Sequence, residues 1–292
     1  MSGAGRWVLL LAAASISWGS ILVRICSSEP LTIALYRVLF ATILIAPLGI
    51  PALRAHRPTG RAIAAGAGAG LLLSLHFATW ITSLSYTTIA ASTLLVSTQP
   101  VFSMVFSWML LRERPAGRTF AAVALALVGI ALITASDLSS GGGRLTGDLL
   151  ALAGAVFAAG YLVIGRASRV SMPFTGYLLI VNASASIGAL ALAIVSGQSL
   201  APQRAEIPWL ILMALVPQLL GHGALNWAVR LLPAYLANLT VLAEPAMASL
   251  YALLLFGEVP ALMLIPGAVL IAAGVALAFR AESRRCDAPG AL

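Results

Sequence analysis

Apolar runs of about 20 residues, almost free of charge, recur along the whole sequence. A helix of that length crosses the hydrocarbon core of a bilayer, which is ~30 Å thick. A closed β-barrel is the other structure that can span a membrane, but its strands alternate polar and apolar residues in segments of about 10. These runs are continuously apolar, so they predict membrane-spanning helices.

Composition agrees with a chain that lies mostly in lipid. Apolar residues make up 61% of the sequence and charged residues 9%, whereas soluble domains carry about 25% charged residues. The net charge of +8 comes from arginines placed mainly between the apolar runs, which argues against a nucleic-acid-binding patch. We expect an all-α integral membrane protein whose surroundings are the lipid bilayer, with no nucleic-acid partner.

Ten runs fit the length of a membrane span, and we number them in chain order. They cover residues 7–25, 31–50, 61–84, 88–111, 119–135, 147–165, 173–195, 209–228, 234–256 and 261–279. A Gly/Ser-rich loop at 136–146 separates the first five spans from the last five.

The sequence contains its central part twice, at a spacing of 145 residues. The stretch 84–135 falls on 229–280, so that Pro100 matches Pro245 and Gly129 matches Gly274. In both copies an apolar run is interrupted by Pro, and a Gly/Ala-rich apolar run follows. Such internal repeats are typical of membrane carriers.

We place one five-helix repeat at 1–136 and the second at 147–280. Five spans, an odd number, separate the two copies, so the repeats are expected to lie upside-down relative to each other. The predicted fold is ten transmembrane helices in two inverted five-helix repeats.

The arginines predict the orientation of these spans. If the N-terminus is cytoplasmic, thirteen arginines fall on the inner side and only Arg24, Arg144 and Arg204 on the outer side. Positive charge is usually concentrated on the cytoplasmic side. We therefore expect a multi-pass protein of a bacterial inner membrane with both termini, including the tail 281–292, in the cytoplasm.

Short motifs in a fixed order resemble the ten-helix, EamA-type members of the drug/metabolite transporter superfamily. These motifs are Trp18-Gly19-Ser20, Pro30, Arg37, Pro100, Leu110-Leu111-Arg112-Glu113, Gly129, Gly147-Asp148, Tyr161, Pro245, Gly257-Glu258, Gly267 and Gly274. The resemblance covers nearly the whole chain. It implies a transporter with a central cavity between the repeats, and it does not name the cargo.

The resulting functional prediction is a secondary transporter, not an enzyme, and without a cofactor. It would export a small amphipathic metabolite, an amino acid, by alternating access through the central cavity. The alternative is a cationic drug or multidrug exporter that uses Glu244 as counter-ion. The sequence leaves proton coupling open, and it leaves both a monomer and a homodimer open, because the small-residue faces of spans 5 and 10 could pack on another copy or on lipid.

Glu244 is the most informative residue, because it stands where the first repeat has Gln99. A charged side chain near the middle of a span costs ~2.5–3.5 kcal/mol on insertion scales, so it usually faces a cavity or a partner. We expect Glu244 to hold a substrate amine or a coupling proton. Packing beside Pro245 is the alternative. For Arg37, pairing or snorkelling is favoured over binding a substrate carboxylate.

Other polar and aromatic side chains inside the spans complete the predicted cavity. Polar groups in a membrane helix should not face lipid, since they would lack partners there. A substrate-binding lining is predicted from Glu244, Gln99, His76, Trp80, His222, Gln218, Asn226, Trp18, Tyr161 and Ser17. The three histidines and two cysteines show no metal-ligand spacing.

Three prolines inside spans are predicted hinges: Pro100, Pro217 and Pro245. Each removes a backbone donor and frees the carbonyl four residues earlier. Glu113 and Glu258 lie at span ends beside Pro, where capping of the following helix explains them. The glycines of 66–70 predict close helix packing and not a phosphate-binding loop, because no strand precedes them.

Overall fold

Helices account for all regular secondary structure in the residues that the structure describes. The structure, a computed structural model, describes residues 3–112, 117–138, 142–168, 172–231, 234–238, 241, 244–258 and 263–286. In chain order the α-helices are α1 (Gly3–Ile16), α2 (Trp18–Ile25), α3 (Pro30–His56), α4 (Gly60–Ser83), α5 (Ile89–Val96), α6 (Gln99–Leu111), α7 (Gly117–Leu138), α8 (Gly142–Ser168), α9 (Phe174–Val195), α10 (Ile207–Met213), α11 (Gly223–Ala228), α12 (Ala234–Asn238), α13 (Glu244–Phe256) and α14 (Leu264–Cys286).

Seven helical segments of the described chain are long and apolar enough to cross a membrane. They are Val8–Ile25, Pro30–His56, Gly60–Ser83, Ile89–Leu111, Leu145–Ala167, Phe174–Val195 and Arg204–Ala228. Two shorter apolar helices cover Gly117–Gly129 and Ile265–Ala278. Large aliphatic side chains such as Leu48, Ile187 and Leu254 are exposed on the outside. The described chain is therefore a multi-pass helical membrane protein.

Several spans that the sequence predicts as single helices are interrupted. The first breaks at Ser17 between α1 and α2, and the fourth breaks at 97–98 between α5 and α6. Of the ninth, the described residues include α12, α13 and Val241. Between α10 and α11, the segment Ala214–His222 is π-helical. Proline and side chains that bond to the backbone are common causes of such irregularities.

Several helices continue past the predicted ends of their spans. The helix α3 runs to His56, past the predicted end at 50, and Arg57 ends it in the left-handed conformation. The prediction of a loop over 136–146 is wrong for most of its length, because α7 ends at Leu138 and α8 begins at Gly142. Likewise, α14 continues to Cys286, into the segment predicted as a tail.

The helices α7 and α14 pack on each other through small residues. A Cβ atom added at Gly129 would lie 2.6 Å from the carbonyl oxygen of Gly267, and one at Gly274 would lie 2.5 Å from that of Ala122. Both pairs obey the 145-residue spacing, so the two contacts are equivalent in sequence. The faces of spans 5 and 10 that could have bound a second copy are thus used within one chain.

Close packing also fixes α4, which carries two predicted cavity residues. A Cβ atom at Gly70 would collide with the backbone of Val181 in α9, and one at Gly66 would lie 3.1 Å from Ile180. On the other side, Gly154 of α8 lies directly against Trp80. The prediction that the glycines of 66–70 serve helix packing is confirmed for Gly66 and Gly70, whereas a Cβ at Gly68 would have no neighbour within 4 Å.

Glu258 caps a helix that is distant in sequence. Its Oε1 accepts a hydrogen bond of 2.8 Å from the backbone N–H of Ile89, the first residue of α5. Its Oε2 lies 3.9 Å from Nη2 of Arg24. The carboxylate therefore joins three distant parts of the chain, and capping of the following helix stays a prediction, since residues 259–262 lie outside the described residues. Glu113 lies outside the described residues.

Candidate functional site

A pocket that encloses about 340 Å³ of space outside the protein atoms lies near the places where the helices are interrupted. Charged, amide, aromatic and aliphatic side chains all contribute to its walls. The lining residues are Ile16, Arg37, His76, Trp80, Val96, Gln99, His222, Leu225, Val241 and Glu244.

A second pocket, of about 420 Å³, lies among α5, α6, α7, α12 and α14. Its lining is apolar apart from hydroxyl groups and includes the predicted hinge Pro100, but none of the lining side chains carries a charge. Ligand sites combine apolar walls with a few placed polar groups that fix orientation. The smaller cavity has those groups, so it is the candidate site.

Glu244 and Gln99 reach the smaller cavity in the same way. Gln99 is the first residue of α6 and Glu244 the first of α13, and each is followed by Pro. Proline suits the first turn of a helix, where a backbone donor has no intrahelical partner. The N-terminus of a helix also favours a carboxylate. Both side chains are buried, with 6% and 3% of their surface exposed.

Arg37 also lines the cavity, although its side chain comes from α3. It is 1% exposed, and its Nε donates a hydrogen bond of 3.0 Å to Oε1 of Gln218. Its guanidinium carbon lies 4.0 Å from the centre of the Phe77 ring and 5.7 Å from that of Trp80. Within the protein, the guanidinium is therefore held by a hydrogen bond and a cation–π contact.

The charges of Arg37 and Glu244 attract each other across the cavity without direct contact. The structure shows no ion pair within 4.0 Å between these two described residues. Bulk water screens their electrostatic interaction little, because both side chains are buried. A buried cation and a buried anion facing one space can each bind an oppositely charged group of a ligand.

Aromatic rings form one wall of the cavity. His76 and Trp80 are one helical turn apart in α4, with their rings parallel to within 2° and their centres 6.0 Å apart. His222 stands 6.1 Å from His76 and meets the edge of Phe77 at 5.4 Å. Since Nδ1 of His76 lies 2.9 Å from the carbonyl oxygen of Gly154, this nitrogen carries the proton and donates it.

Three polar atoms of the cavity-lining residues have no hydrogen-bond partner among the described residues. They are Nη1 of Arg37, Nε1 of Trp80 and Nδ1 of His222. Buried polar atoms in proteins are almost always hydrogen-bonded to protein or water. Unpaired donors and acceptors at one cavity are what a polar ligand or bound water would satisfy.

Three further predicted site residues are buried nearby but bind other helices. Gln218 lies between Arg37 and Asn182, and its Nε2 donates a hydrogen bond of 2.9 Å to Asn182. Asn226 donates to the hydroxyl of Tyr161 and, at 2.8 Å, to the carbonyl oxygen of His222. Gln218, Asn226 and Tyr161 therefore support the cavity wall rather than line it.

The structure does not bring Trp18 and Ser17 to the cavity lining. Trp18 is 39% exposed and stacks on Tyr251, with ring centres 4.9 Å apart. Ser17 is buried at the break between α1 and α2, where its hydroxyl donates to the carbonyl oxygen of Ala13 at 2.8 Å. Such a side-chain hydrogen bond competes with the regular hydrogen bonds of the helix backbone. Ile16, the residue before this break, lines the cavity.

The three predicted hinge prolines occupy different kinds of irregularity. Pro100 is the second residue of α6, which follows the break at 97–98, Pro245 is the second residue of α13, and Pro217 lies inside the π-helical segment. The carbonyl oxygen of Val241, which Pro245 frees, lies 3.5 Å from the hydroxyl of Ser97 at the break before α6. Discontinuous helices whose ends meet at one site are typical of secondary transporters.

The sequence favoured a structural role for Arg37, namely pairing or snorkelling, and predicted no role for Gly19. Both lie at the site: a Cβ atom on Gly19 would come 3.2 Å from Trp80 and 3.6 Å from Nη1 of Arg37. The motif Trp18-Gly19-Ser20 was the available signal, since its glycine is the position that approaches the cavity residues. No group of three or more metal-ligating side chains occurs among the described residues.

Known families and proteins match most of this chain. The model of the EamA-like transporter family matches the chain twice, at residues 5–135 and 145–280. The model named solute carrier family 35 matches residues 78–209. An uncharacterized transporter of Clostridium kluyveri is 24% identical over 280 residues, which cover 92% of this chain and 89% of the relative.

A solved crystal structure of another protein has the same fold. It superposes with a TM-score of 0.71 at 20% sequence identity and covers 99% of this chain and 100% of its own. At this identity the likeness concerns the fold alone.

Proposed function

The chain belongs to the EamA-like transporter family, and we propose that it is a secondary carrier that exports a small amphipathic metabolite, specifically an amino acid. The observation that carries this proposal is the buried Glu244 at a cavity with apolar and aromatic walls. A carboxylate buried inside a membrane-spanning segment is costly unless it meets a partner. The amine of an amino acid is such a partner.

The proposed architecture is ten transmembrane helices in two inverted five-helix repeats, at 1–136 and 147–280. Two observations support it: the family model matches each half of the chain, and Pro100 and Pro245, at equivalent positions of the sequence repeat, are each the second residue of a helix. The distribution of arginines supports both termini in the cytoplasm of a bacterial inner membrane.

The proposed mechanism is alternating access. A cavity between two related halves can open to one side of the membrane at a time when the halves move relative to each other. Pro100, Pro217 and Pro245 lie at interruptions beside the cavity, where backbone rotation breaks few hydrogen bonds. The substrate crosses unchanged, so the cycle needs no catalytic residue.

Glu244 can hold either a substrate amine or a proton, and these two roles exclude each other at one carboxylate. If a proton replaces the substrate during the return step, transport is coupled to the pH gradient. If the empty carrier returns without a proton, transport is facilitated diffusion. A pH gradient imposed across the membrane separates the two mechanisms.

Export of lipophilic cations is the second candidate function. It is favoured by the same Glu244 as counter-ion and by the rings of His76 and Trp80, since cations bind to aromatic faces. Arg37 at the same cavity counts against it, because a buried guanidinium repels a cation that carries no negative group.

Uptake into proteoliposomes tests the proposal. We would load purified protein into vesicles, measure uptake of a panel of radiolabelled amino acids with and without a pH gradient, and use protein-free vesicles as control. Saturable uptake that a pH gradient drives above equilibrium indicates a proton-coupled amino-acid carrier. Uptake of tetraphenylphosphonium with no amino-acid uptake would replace the first function by the second.

A further inference from the structure

Arg37 has bonding capacity that the protein itself does not use. Its Nε is bonded to Gln218, whereas its Nη1 has no partner among the described residues. The side chain is 1% exposed, so bulk water does not solvate the guanidinium. Removing one partner from a buried charge is strongly destabilising, which makes an unfilled donor position at this residue unusual.

The guanidinium is fixed in position by contacts that leave this donor free. Gln218 accepts from Arg37 and donates to Asn182, and the amide of Asn182 donates at 2.8 Å to the carbonyl oxygen of Leu178. The ring of Phe77 covers one face of the guanidinium at 4.0 Å. A donor held by such a chain is preorganised, so little conformational entropy is lost when a ligand binds.

Gly19 packs next to Nη1 of Arg37. A Cβ atom at this position would lie 3.6 Å from Nη1 and 3.2 Å from the Trp80 ring. Any side chain in place of the glycine hydrogen would therefore occupy the space next to the free donor. Arg37, which carries this donor, lines the cavity together with Glu244.

A planar guanidinium with a free N–H is the protein group best suited to a carboxylate. Glu244, of opposite charge, lines the same cavity and is not ion-paired with Arg37. A ligand that carries both an ammonium and a carboxylate satisfies both groups and adds no net charge to the buried site. Aliphatic side chains of Ile16, Val96 and Leu225 line the remaining space.

We propose that Arg37 is the carboxylate-binding subsite of the carrier, so that the cavity selects zwitterions by two-point recognition, with Glu244 holding the ammonium group. This inference rests on the proposed function and adds to it the residue that excludes simple amines. Gln218 and Asn182 act as positioning residues for Arg37.

Ligand-induced thermal stabilisation of the purified protein tests the inference, using triads that differ in one charged group. One triad is phenylalanine, phenethylamine and 3-phenylpropionate; others are built in the same way on the side chains of leucine and tyrosine. In the native protein we expect the amine and the acid each to bind at least about tenfold more weakly than the zwitterion, since each leaves one buried charge unpaired.

The variants Arg37→Gln and Arg37→Lys test whether Arg37 causes this preference for zwitterions. In Arg37→Gln the preference for the amino acid over its amine should fall to near one, while the weak binding of the amine is kept. Arg37→Lys keeps the charge but loses the planar fork, so an intermediate preference is expected. Arg61→Gln, an identical substitution at an exposed residue, should retain the native preference.

Two results would overturn the inference in distinguishable ways. If an amine binds the native protein as tightly as its amino acid, or if Arg37→Gln weakens all members of a triad equally, Arg37 is not a carboxylate site and the proposed transport function still stands. If no member of any triad binds the native protein, the subsite and the amino-acid function fail together.

Discussion

Arg37 and Asn182 bind opposite ends of one amide group, that of Gln218. The Oε1 atom of Gln218 accepts from Nε of Arg37 at 3.0 Å, and its Nε2 donates to Oδ1 of Asn182 at 2.9 Å. Since Arg can only donate, the orientation of both amides is determined. Arg37 and Asn182 are 145 residues apart, the spacing of the sequence repeat, and they lie on α3 and α9.

Replacement of Gln218 by Leu should destabilise the protein. The variant leaves Nε of Arg37 and Oδ1 of Asn182 buried without partners, and each unsatisfied group costs about 1–3 kcal/mol. We expect a loss of about 2–5 kcal/mol, measured as a lower midpoint of thermal unfolding in detergent. The same substitution at the exposed Gln203 is the control, and equal midpoints for the two variants would contradict the importance of this bridge.

Two glycines in one helix offer a matched test of the close packing between α4 and α9. In Gly70→Ala the new methyl group meets the backbone of Val181, whereas a Cβ at Gly68 has no neighbour within 4 Å. Overpacking costs about 1–3 kcal/mol, while Ala is favoured over Gly inside a helix by ~1 kcal/mol. Gly70→Ala should lower the unfolding midpoint and Gly68→Ala should leave it unchanged or raise it. A stable Gly70→Ala variant would show that the helices are further apart.

The reactivity of Cys26, which follows the last residue of α2, should depend on pH up to strongly alkaline values. Burial, reinforced by the nearby Glu206 carboxylate, raises the pKa of the Cys26 thiol to about 12. Only the thiolate is alkylated, so its fraction should rise about tenfold per pH unit throughout the range from 7 to 10. The rate of iodoacetamide labelling in a Cys286→Ser background measures this. A plateau near pH 9 would indicate an ordinary exposed thiol.

The sequence predicted the helical membrane fold because its signal is continuous and local. Apolar runs of spanning length correspond to the helices from α1 to α14, and the two-fold match of the EamA-like family model confirms the resemblance drawn from short motifs. The number of spans and their inverted arrangement stay predictions, because seven of the ten predicted runs correspond to described helical segments that are long and apolar enough to cross a membrane.

The parts of the site that depend only on neighbouring residues in the sequence were predictable. Glu244 and Gln99 each precede a proline, so the start of a new helix at that position follows from local chemistry. The break at Ser17 was not predictable, because neither Pro nor Gly marks the residue itself and the hydroxyl bond to Ala13 is one of several that serine can make.

The role of Arg37 was not predictable, because the direction of its side chain depends on how α3 is rotated in the assembled bundle. Its hydrogen-bond partner, Gln218, is 181 residues away in sequence. Trp18 illustrates the converse: it sits in a motif of the family, yet its ring stacks on Tyr251 and is partly exposed. Contacts between distant helices, and not composition or spacing, decided both outcomes.

The central claim is that Glu244 binds the substrate in the cavity, and Glu244→Gln tests it most directly. Uptake of the best amino acid into proteoliposomes should fall at least about tenfold, since the amide cannot pair with an ammonium group, while the thermal unfolding midpoint is kept. Glu258→Gln, which retains an acceptor for the N–H of Ile89, should transport at the native rate. Native uptake by a folded Glu244→Gln variant would contradict the account and reduce Glu244 to a packing residue.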